Sequence, residues 1–120
     1  MQSKIKTIIV DDHEFFRRTL KNYLKSIKNI DLVGEAKNGE EAFALCLELN
    51  PLLVIMDINM PVMDGIKACE IIKMGKPEIK VILYSMYDIE ILCKNSKNMA
   101  DLYIPKDKLF EELPVIINSN

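Results

Sequence analysis

The chain has 120 residues, 49% of them hydrophobic and 28% charged, and its formal net charge is −2 at pH 7. A chain of this size and balance folds as one globular unit, so we expect residues 1–120 to form a single domain. The slight acidic excess excludes nucleic-acid binding driven by a basic surface. Three cysteines without ligand spacing predict no disulfide framework. Because no signal sequence or apolar stretch of ~18 residues is found, we expect a cytoplasmic protein without membrane contact.

Short apolar runs alternate with amphipathic segments along the chain. Strands are predicted at 6–10, 31–36, 52–57, 80–85 and 102–104, and helices at 13–27, 38–49, 65–75, 88–98 and 108–118. The apolar runs in the first and third strands do not alternate with polar residues, which is typical of strands buried on both faces of a parallel sheet. Strands joined by helices predict a doubly wound α/β fold, with a five-stranded parallel sheet in the order 2-1-3-4-5 flanked by helices.

Local signals predict how some of these helices begin and end. Asn38 is expected to cap the second helix while Glu41 reaches back, a variant of the capping box. Pro51 ends the same helix. Pro114 lies several residues into the last helix, where the missing N–H and the ring should kink that helix or restart it.

Polar and charged side chains follow the predicted strands at their carboxyl ends. Asp11 and Asp12 follow the first strand, Asp57 ends the third, Ser85 closes the fourth and Lys106 follows the fifth. In a parallel sheet these ends meet at one edge, where ligands bind. Two adjacent carboxylates repel each other unless a cation lies between them, and a site made of hard oxygen ligands suits Mg²⁺.

Each of these residues also has an ordinary structural interpretation. Asp11 and Asp12 could simply favour the positive end of the first helix. Asp57 could be a capping or turn aspartate, and Lys106 and Ser85, taken alone, are unremarkable. The functional interpretation makes Asp57 a carboxylate nucleophile in phosphoryl transfer, with Lys106 opposite the metal.

The longer motifs resemble a known family. They are Val10-Asp11-Asp12, the ten-residue run from Met56 to Gly65, Ser85, and Lys106-Asp107. Together they closely resemble the receiver domain of bacterial response regulators, the CheY-like members of the flavodoxin-like folds, and the resemblance covers the whole chain. The stretches 81–88 and 106–113 are most similar to the NarL/LuxR-type branch.

The resemblance implies a phosphorylation site with a metal. Asp57 would accept a phosphoryl group from a sensor histidine kinase. Asp12 and Asp57 would ligate Mg²⁺ directly, together with the backbone carbonyl of Asn59, while Asp11 would act mainly through water. The domain would assist its own phosphorylation and dephosphorylation without being a turnover enzyme.

The resemblance also implies a switch. Lys106 would pair with the phosphate, and Ser85 would swing toward it. Tyr103 matches an aromatic switch position, although plain strand packing remains an alternative for a tyrosine there. Asn59 and Tyr87 match positions that tune dephosphorylation. The output would be a changed face formed by helix 4, strand 5 and helix 5.

Several departures from the family pattern fall on that output face. The segment between Ser85 and Lys106 is about one residue shorter than is usual in this branch, and Met99-Ala100 stands where Gly-Ala is common. Glycine there supplies a left-handed helix end. Helix 4 is therefore expected to be short, frayed or differently ended. Pro105 stands where an apolar strand residue is usual.

The expected partners are the kinase and an effector domain or downstream protein, with transcription as the expected output and a homodimer possible on phosphorylation. The effector, which could bind DNA, would lie outside these residues. Two other functions remain open: an interaction module with the receiver fold that needs no phosphorylation, and a Mg²⁺-dependent phosphatase with an aspartate nucleophile. Such phosphatases carry Asp-x-Asp after the first strand, whereas this chain has Asp-Asp.

Overall fold

Five parallel strands form one sheet in the order β2-β1-β3-β4-β5, which confirms the predicted architecture. The structure is a computed structural model that describes residues 4–94 and 99–118. The strands are β1 (Ile5–Val10), β2 (Ile30–Ala36), β3 (Leu53–Asp57), β4 (Lys80–Ser85) and β5 (Leu102–Pro105). The helices are α1 (Glu14–Lys25), α2 (Gly39–Leu49), α3 (Gly65–Gly75), α4 (Ile89–Leu92) and α5 (Leu109–Asn118), the last preceded by a 3₁₀ turn, Lys106–Lys108.

Helices cover both faces of the sheet. Side chains of α2, α3 and α4 pack on one face around Val54 and Met56. Those of α1 and α5 pack on the other face around Ile55 and Tyr84. Every residue of β3 is buried, which explains why its apolar run shows no alternation. None of the helices in the described part of the chain is long and apolar enough to cross a membrane.

The capping signals of α2 are confirmed. The Asn38 side chain accepts a hydrogen bond from the Glu41 N–H at 2.9 Å, and the Glu41 carboxylate accepts one from the Lys37 N–H at 3.0 Å. At the other end Asn50 adopts a left-handed conformation with φ 49°, and Pro51 follows it. These two caps set the first and last residues of helix α2.

Helix α4 is a single turn, much shorter than the predicted helix at 88–98. Asp88 caps it by accepting the Glu90 N–H at 3.0 Å, and Cys93 already lies beyond its end. The prediction was therefore wrong for residues 93–94, which form a turn, and residues 95–98 lie outside the described residues. The expectation of a short helix 4 is confirmed.

Helix α5 runs from Leu109 to Asn118 across Pro114 without restarting, so the predicted restart was wrong. Pro114 has no N–H to donate to the carbonyl of Phe110, one turn earlier. The hydroxyl of Tyr23 on α1 donates to that carbonyl at 3.5 Å, and the Tyr23 ring meets the Phe110 ring edge-on with centroids 5.1 Å apart. A contact from a neighbouring helix thus replaces the lost helical hydrogen bond.

Candidate functional site

The ends of β1 and β3 bring four potential ligand groups together. Asp11, Asp12, His13 and Asp57 each offer one ligand atom, and these atoms lie within 4.8 Å of one another. The two strands are neighbours, with Val10 paired to Met56, so the residues that follow must meet at one edge. The predicted convergence of the three aspartates is therefore present.

Asp57 is almost fully buried, with 3% of its surface exposed. Burial, followed by the charge of Asp11, raises the pKa of Asp57 from 3.8 to about 6, although the N–H of Asn59 and the ammonium of Lys106 act in the opposite direction. The Asn59 N–H donates to the Asp57 carboxylate at 3.2 Å. A buried carboxylate beside other acids is therefore costly to ionise, and a cation would relieve that cost.

Asp11 is completely buried, and donors occupy both of its carboxylate oxygens. Oδ1 accepts the His13 N–H at 2.8 Å, and Oδ2 accepts the Tyr84 hydroxyl at 2.5 Å. The Arg17 guanidinium donates to the Asp11 backbone carbonyl at 2.7 Å and to Glu35 at 2.8 Å. Asp11 is thus held in place by three donors before any cation arrives.

Asp12 differs from Asp11 in how its carboxylate is satisfied. Its Oδ1 atom is buried and has no hydrogen-bond partner among the described residues. The imidazole Nδ1 of His13 lies 3.5 Å from it. Since a buried carboxylate oxygen without a donor is costly, a hard divalent cation fits here.

Ser85 and Asn59 are joined to each other on the far side of Asp57. The Ser85 hydroxyl donates to the Asn59 side-chain oxygen at 2.8 Å and accepts the Tyr87 N–H at 3.0 Å. Ser85 is buried, whereas the Tyr87 side chain is exposed. The Ser85 hydroxyl is therefore directed at Asn59 and would have to turn to reach a group on Asp57.

Lys106 reaches the cluster from the carboxyl end of β5. Its side chain is 16% exposed, and its Nζ atom lies 3.9 Å from Asp11 Oδ2. The same ammonium sits 4.2 Å from the centre of the Phe16 ring. An ammonium over an aromatic face is held without a fixed hydrogen bond, so it can move toward a new anion.

Tyr103 does not point into the acidic cluster but packs with the core on the side of α3 and α4. Burial is the main cause of its raised pKa. Cys93, just past α4, and Ala100, just before β5, pack against the same core. Tyr103 therefore joins β5 to the end of α4.

Three residues at this site carry no sequence motif: Tyr84, Phe16 and Arg17. The Tyr84 hydroxyl is buried and needs a partner, which is a usable signal in an otherwise apolar strand. Burial, followed by the charge of Asp11, holds the pKa of Tyr84 well above 10.0, so its hydroxyl is a donor at neutral pH. Phe16 gives no such signal, because apolar spacing predicts only that it packs inward.

A groove of about 580 Å³ is lined by Lys106 and Ser85. Its other walls come from α1, from the loops after β4 and β5, and from the first turn of α5, through Phe16, Met86, Tyr87, Pro105, Asp107 and Phe110. Since Met86 and Tyr87 are exposed, the groove is open to solvent.

Residues 7–118 match the family described as the response regulator receiver domain. The response regulator protein VraR of Staphylococcus saprophyticus is 43% identical over 83 residues, which cover 69% of this chain and 40% of VraR. A protein-glutamate methylesterase/protein-glutamine glutaminase of Pseudoalteromonas atlantica is 41% identical over 85 residues, covering 71% of this chain and 22% of that protein. The chain thus spans less than half the length of these relatives.

Solved structures show the same fold. The receiver domain of NarL from Mycobacterium tuberculosis has a TM-score of 0.88 at 24% identity and covers 98% of this chain and 97% of that chain. A LuxR-family DNA-binding response regulator from Staphylococcus aureus has a TM-score of 0.85 at 30% identity, over 96% and 97% of the two chains. The response regulator domain of Thermotoga maritima CheB has a TM-score of 0.83 at 32% identity, over 97% and 95%.

Proposed function

Because the chain belongs to the response regulator receiver domain family, we propose that Asp57 accepts a phosphoryl group from a histidine kinase and thereby changes a protein surface. The observation that carries this proposal is the cluster of three aspartates whose ligand atoms lie within 4.8 Å of one another, beside the Lys106 ammonium at 3.9 Å from Asp11 Oδ2. Phosphoryl transfer depends mainly on positioning and on neutralising charge, and this edge of the sheet offers both.

In the transfer step an Asp57 carboxylate oxygen forms a bond to phosphorus as the P–N bond of the kinase phosphohistidine breaks. The imidazole leaves with the bonding electron pair and takes up a proton. Asp12, Asp57 and the backbone carbonyl of Asn59 would hold Mg²⁺, with Asp11 acting mainly through water. When bound, the ion neutralises charge on the carboxylates and on the transferred group.

After transfer, the chain's own donors respond to the new charge. A phosphoryl group adds about 1.5 to 2 negative charges and three acceptor oxygens. Lys106 would leave the face of Phe16 for a phosphate oxygen, and Ser85 would exchange its bond to Asn59 for one to the phosphate. Asn59 and Tyr87, at the mouth of the site, would set how easily water reaches the acyl phosphate.

The output would be the face formed by α4, β5 and α5. Movement of Ser85 alters the loop that leads into α4, and Tyr103 links that helix to β5. Couplings between two packings of this kind are typically ~1–3 kcal/mol, which changes a partner's affinity several-fold to a hundredfold. The partner would be an effector domain, DNA-binding as in the LuxR-family relative, or a separate protein, and phosphorylation could also favour a homodimer.

The test is intact mass after incubation with Mg²⁺ and acetyl phosphate. The parent chain should gain one phosphoryl group, and the Asp57→Asn variant none. Asp64→Asn is the matched control, because Asp64 lies on the same loop but caps α3, and asparagine caps equally well. No gain in the parent would refute the proposal and favour an interaction module that works without phosphorylation.

A further inference from the structure

Tyr84 takes no part in the phosphoryl transfer just described, yet it reaches into the site. It is paired with Asp57 across the β3–β4 ladder and is completely buried. Its ring packs against Phe16, with the ring centres 5.6 Å apart. Its hydroxyl donates to Asp11 Oδ2 at 2.5 Å. A buried hydroxyl aimed at a buried carboxylate in this site calls for a functional explanation.

Two donors compete for one oxygen of Asp11. Tyr84 occupies the hydrogen-bonding position on Oδ2, while the Lys106 ammonium stands 3.9 Å from the same atom. That separation is longer than an N–H···O hydrogen bond, which spans about 2.7–3.2 Å. The ammonium instead sits over the aromatic rings, 4.2 Å from the centre of Phe16 and 5.9 Å from that of Tyr84.

Without the hydroxyl, Oδ2 of Asp11 would be a buried carboxylate oxygen lacking a donor, which is a costly state. Asp11 would keep its position, since the His13 N–H still holds Oδ1 at 2.8 Å. The Lys106 ammonium, already 3.9 Å from Oδ2, would close onto it. A lysine hydrogen-bonded to Asp11 would then have to break that bond before it could bind a phosphate.

We propose that Tyr84 is a positioning residue of the phosphorylation site: it satisfies Asp11 and so keeps Lys106 available for a phosphoryl group on Asp57. The role assigned to Lys106 rests on the proposed function. The hydrogen bond from Tyr84 to Asp11, and its effect on the position of the Lys106 ammonium, do not depend on that function.

The substitution Tyr84→Phe tests this, because it removes one oxygen and keeps the ring against Phe16. The first readout is the ¹⁵N NMR signal of the Lys106 ammonium, recorded without metal or phosphate donor. In the variant it should shift, and its hydrogens should exchange with water more slowly, as the ammonium forms a hydrogen bond with Asp11 Oδ2. The second readout is the rate of phosphorylation by acetyl phosphate with Mg²⁺, which should fall about tenfold, as expected for one charge-assisted hydrogen bond.

A purely structural role is excluded by repeating the substitution in an Asp11→Asn background. If Tyr84 acts through the charge of Asp11, the added Tyr84→Phe change should no longer shift the Lys106 signal or lower the remaining rate. Tyr23→Phe is the matched control, because it also removes one tyrosine hydroxyl from the same face of the sheet, but that hydroxyl donates to a backbone carbonyl and not to Asp11. That variant should keep the parent's Lys106 signal and rate.

The inference is overturned if Tyr84→Phe leaves the Lys106 signal at its parent position, or if it slows phosphorylation equally with and without the Asp11 carboxylate. If the parent chain takes up no phosphoryl group, the proposed function fails, and the Lys106 signal alone decides the role of Tyr84. A shifted signal then supports the hold on Asp11, and an unchanged one refutes it.

Discussion

Replacing Gly65 with alanine should weaken the fold and the phosphorylation site together. Gly65 opens α3 directly after its cap, and its N–H donates to the Ile58 carbonyl at 2.8 Å. A Cβ at this position would lie 2.3 Å from the carbonyl oxygen of Asp57 and 2.9 Å from the Cα of Ile58. Both are backbone atoms, so no side-chain rotation can relieve the clash.

The size of the effect follows from that clash. Carbon and oxygen atoms normally stay about 3.3 Å apart or more, so the backbone must shift by about 1 Å. Overpacking of this kind costs about 1–3 kcal/mol, and a clash between backbone segments belongs at the upper end. Part is offset by the better helix propensity of alanine, up to about 1 kcal/mol. We expect a net loss of about 2 kcal/mol, or a fall in Tm of about 8 °C for 120 residues.

Urea and thermal unfolding followed by circular dichroism measure this loss. Gly75→Ala is the matched control, because Gly75 ends the same helix and a Cβ there would meet nothing within 4 Å. That variant should match the parent or exceed its stability by up to about 1 kcal/mol. Gly65→Ala should also accept phosphate more slowly, since the backbone it displaces carries Asp57. The reasoning is refuted if both variants lose the same stability, or if Gly65→Ala loses none.

Pro114→Ala should raise the free energy of unfolding by about 1 kcal/mol, because it removes the clash of the proline ring with the Phe110 carbonyl and lets a backbone N–H share that acceptor with Tyr23. A free energy of unfolding in urea at or below the parent value would contradict this. Val62→Gly should raise the free energy of unfolding by a similar ~1 kcal/mol, because this exposed valine has φ 69° and glycine adopts that conformation without strain. Thermal unfolding measures the change, and a fall in Tm would contradict the assignment of strain. Glu35→Gln should lower stability at neutral pH, because the hydrogen bond from Arg17 holds the pKa of Glu35 below 4.5. A carboxylate with a lowered pKa contributes stability above pH 4.5, and that contribution is lost as the pH falls below it, so the stabilities of parent and variant should converge in acid.

The strands and the acidic cluster could be predicted from sequence because one physical rule governs both. A strand buried on two faces needs a continuous apolar run, as in β3, and a parallel sheet gathers whatever follows Val10 and Asp57 at one edge. The same rule predicted the edge of the sheet from which Lys106 reaches the site. It does not predict which side chains bond to one another within the site.

What could not be predicted depends on tertiary contacts. The partner of the Tyr84 hydroxyl is 73 residues away in the chain. The sequence pattern therefore predicted only that Tyr84 lies in a strand, and not what its hydroxyl bonds to. Pro114 was expected to kink or restart α5; the helix does not restart, and Tyr23 from another helix compensates the lost bond. The length of helix α4 was overestimated because the prediction relied on composition, whereas a short helix has little stability of its own.

The contacts of Tyr103 tie the chain on both sides of the connection between α4 and β5. Cys93, just past α4, and Ala100, just before the strand, pack on the same core as Tyr103. If Tyr103 turned away, the packing on both sides of the connection would loosen in one step. The connection would then gain conformational entropy, and the single turn of α4 would lose its nearest anchor. The affinity of a partner for this face would therefore depend on the conformational entropy of the segment as well as on its structure.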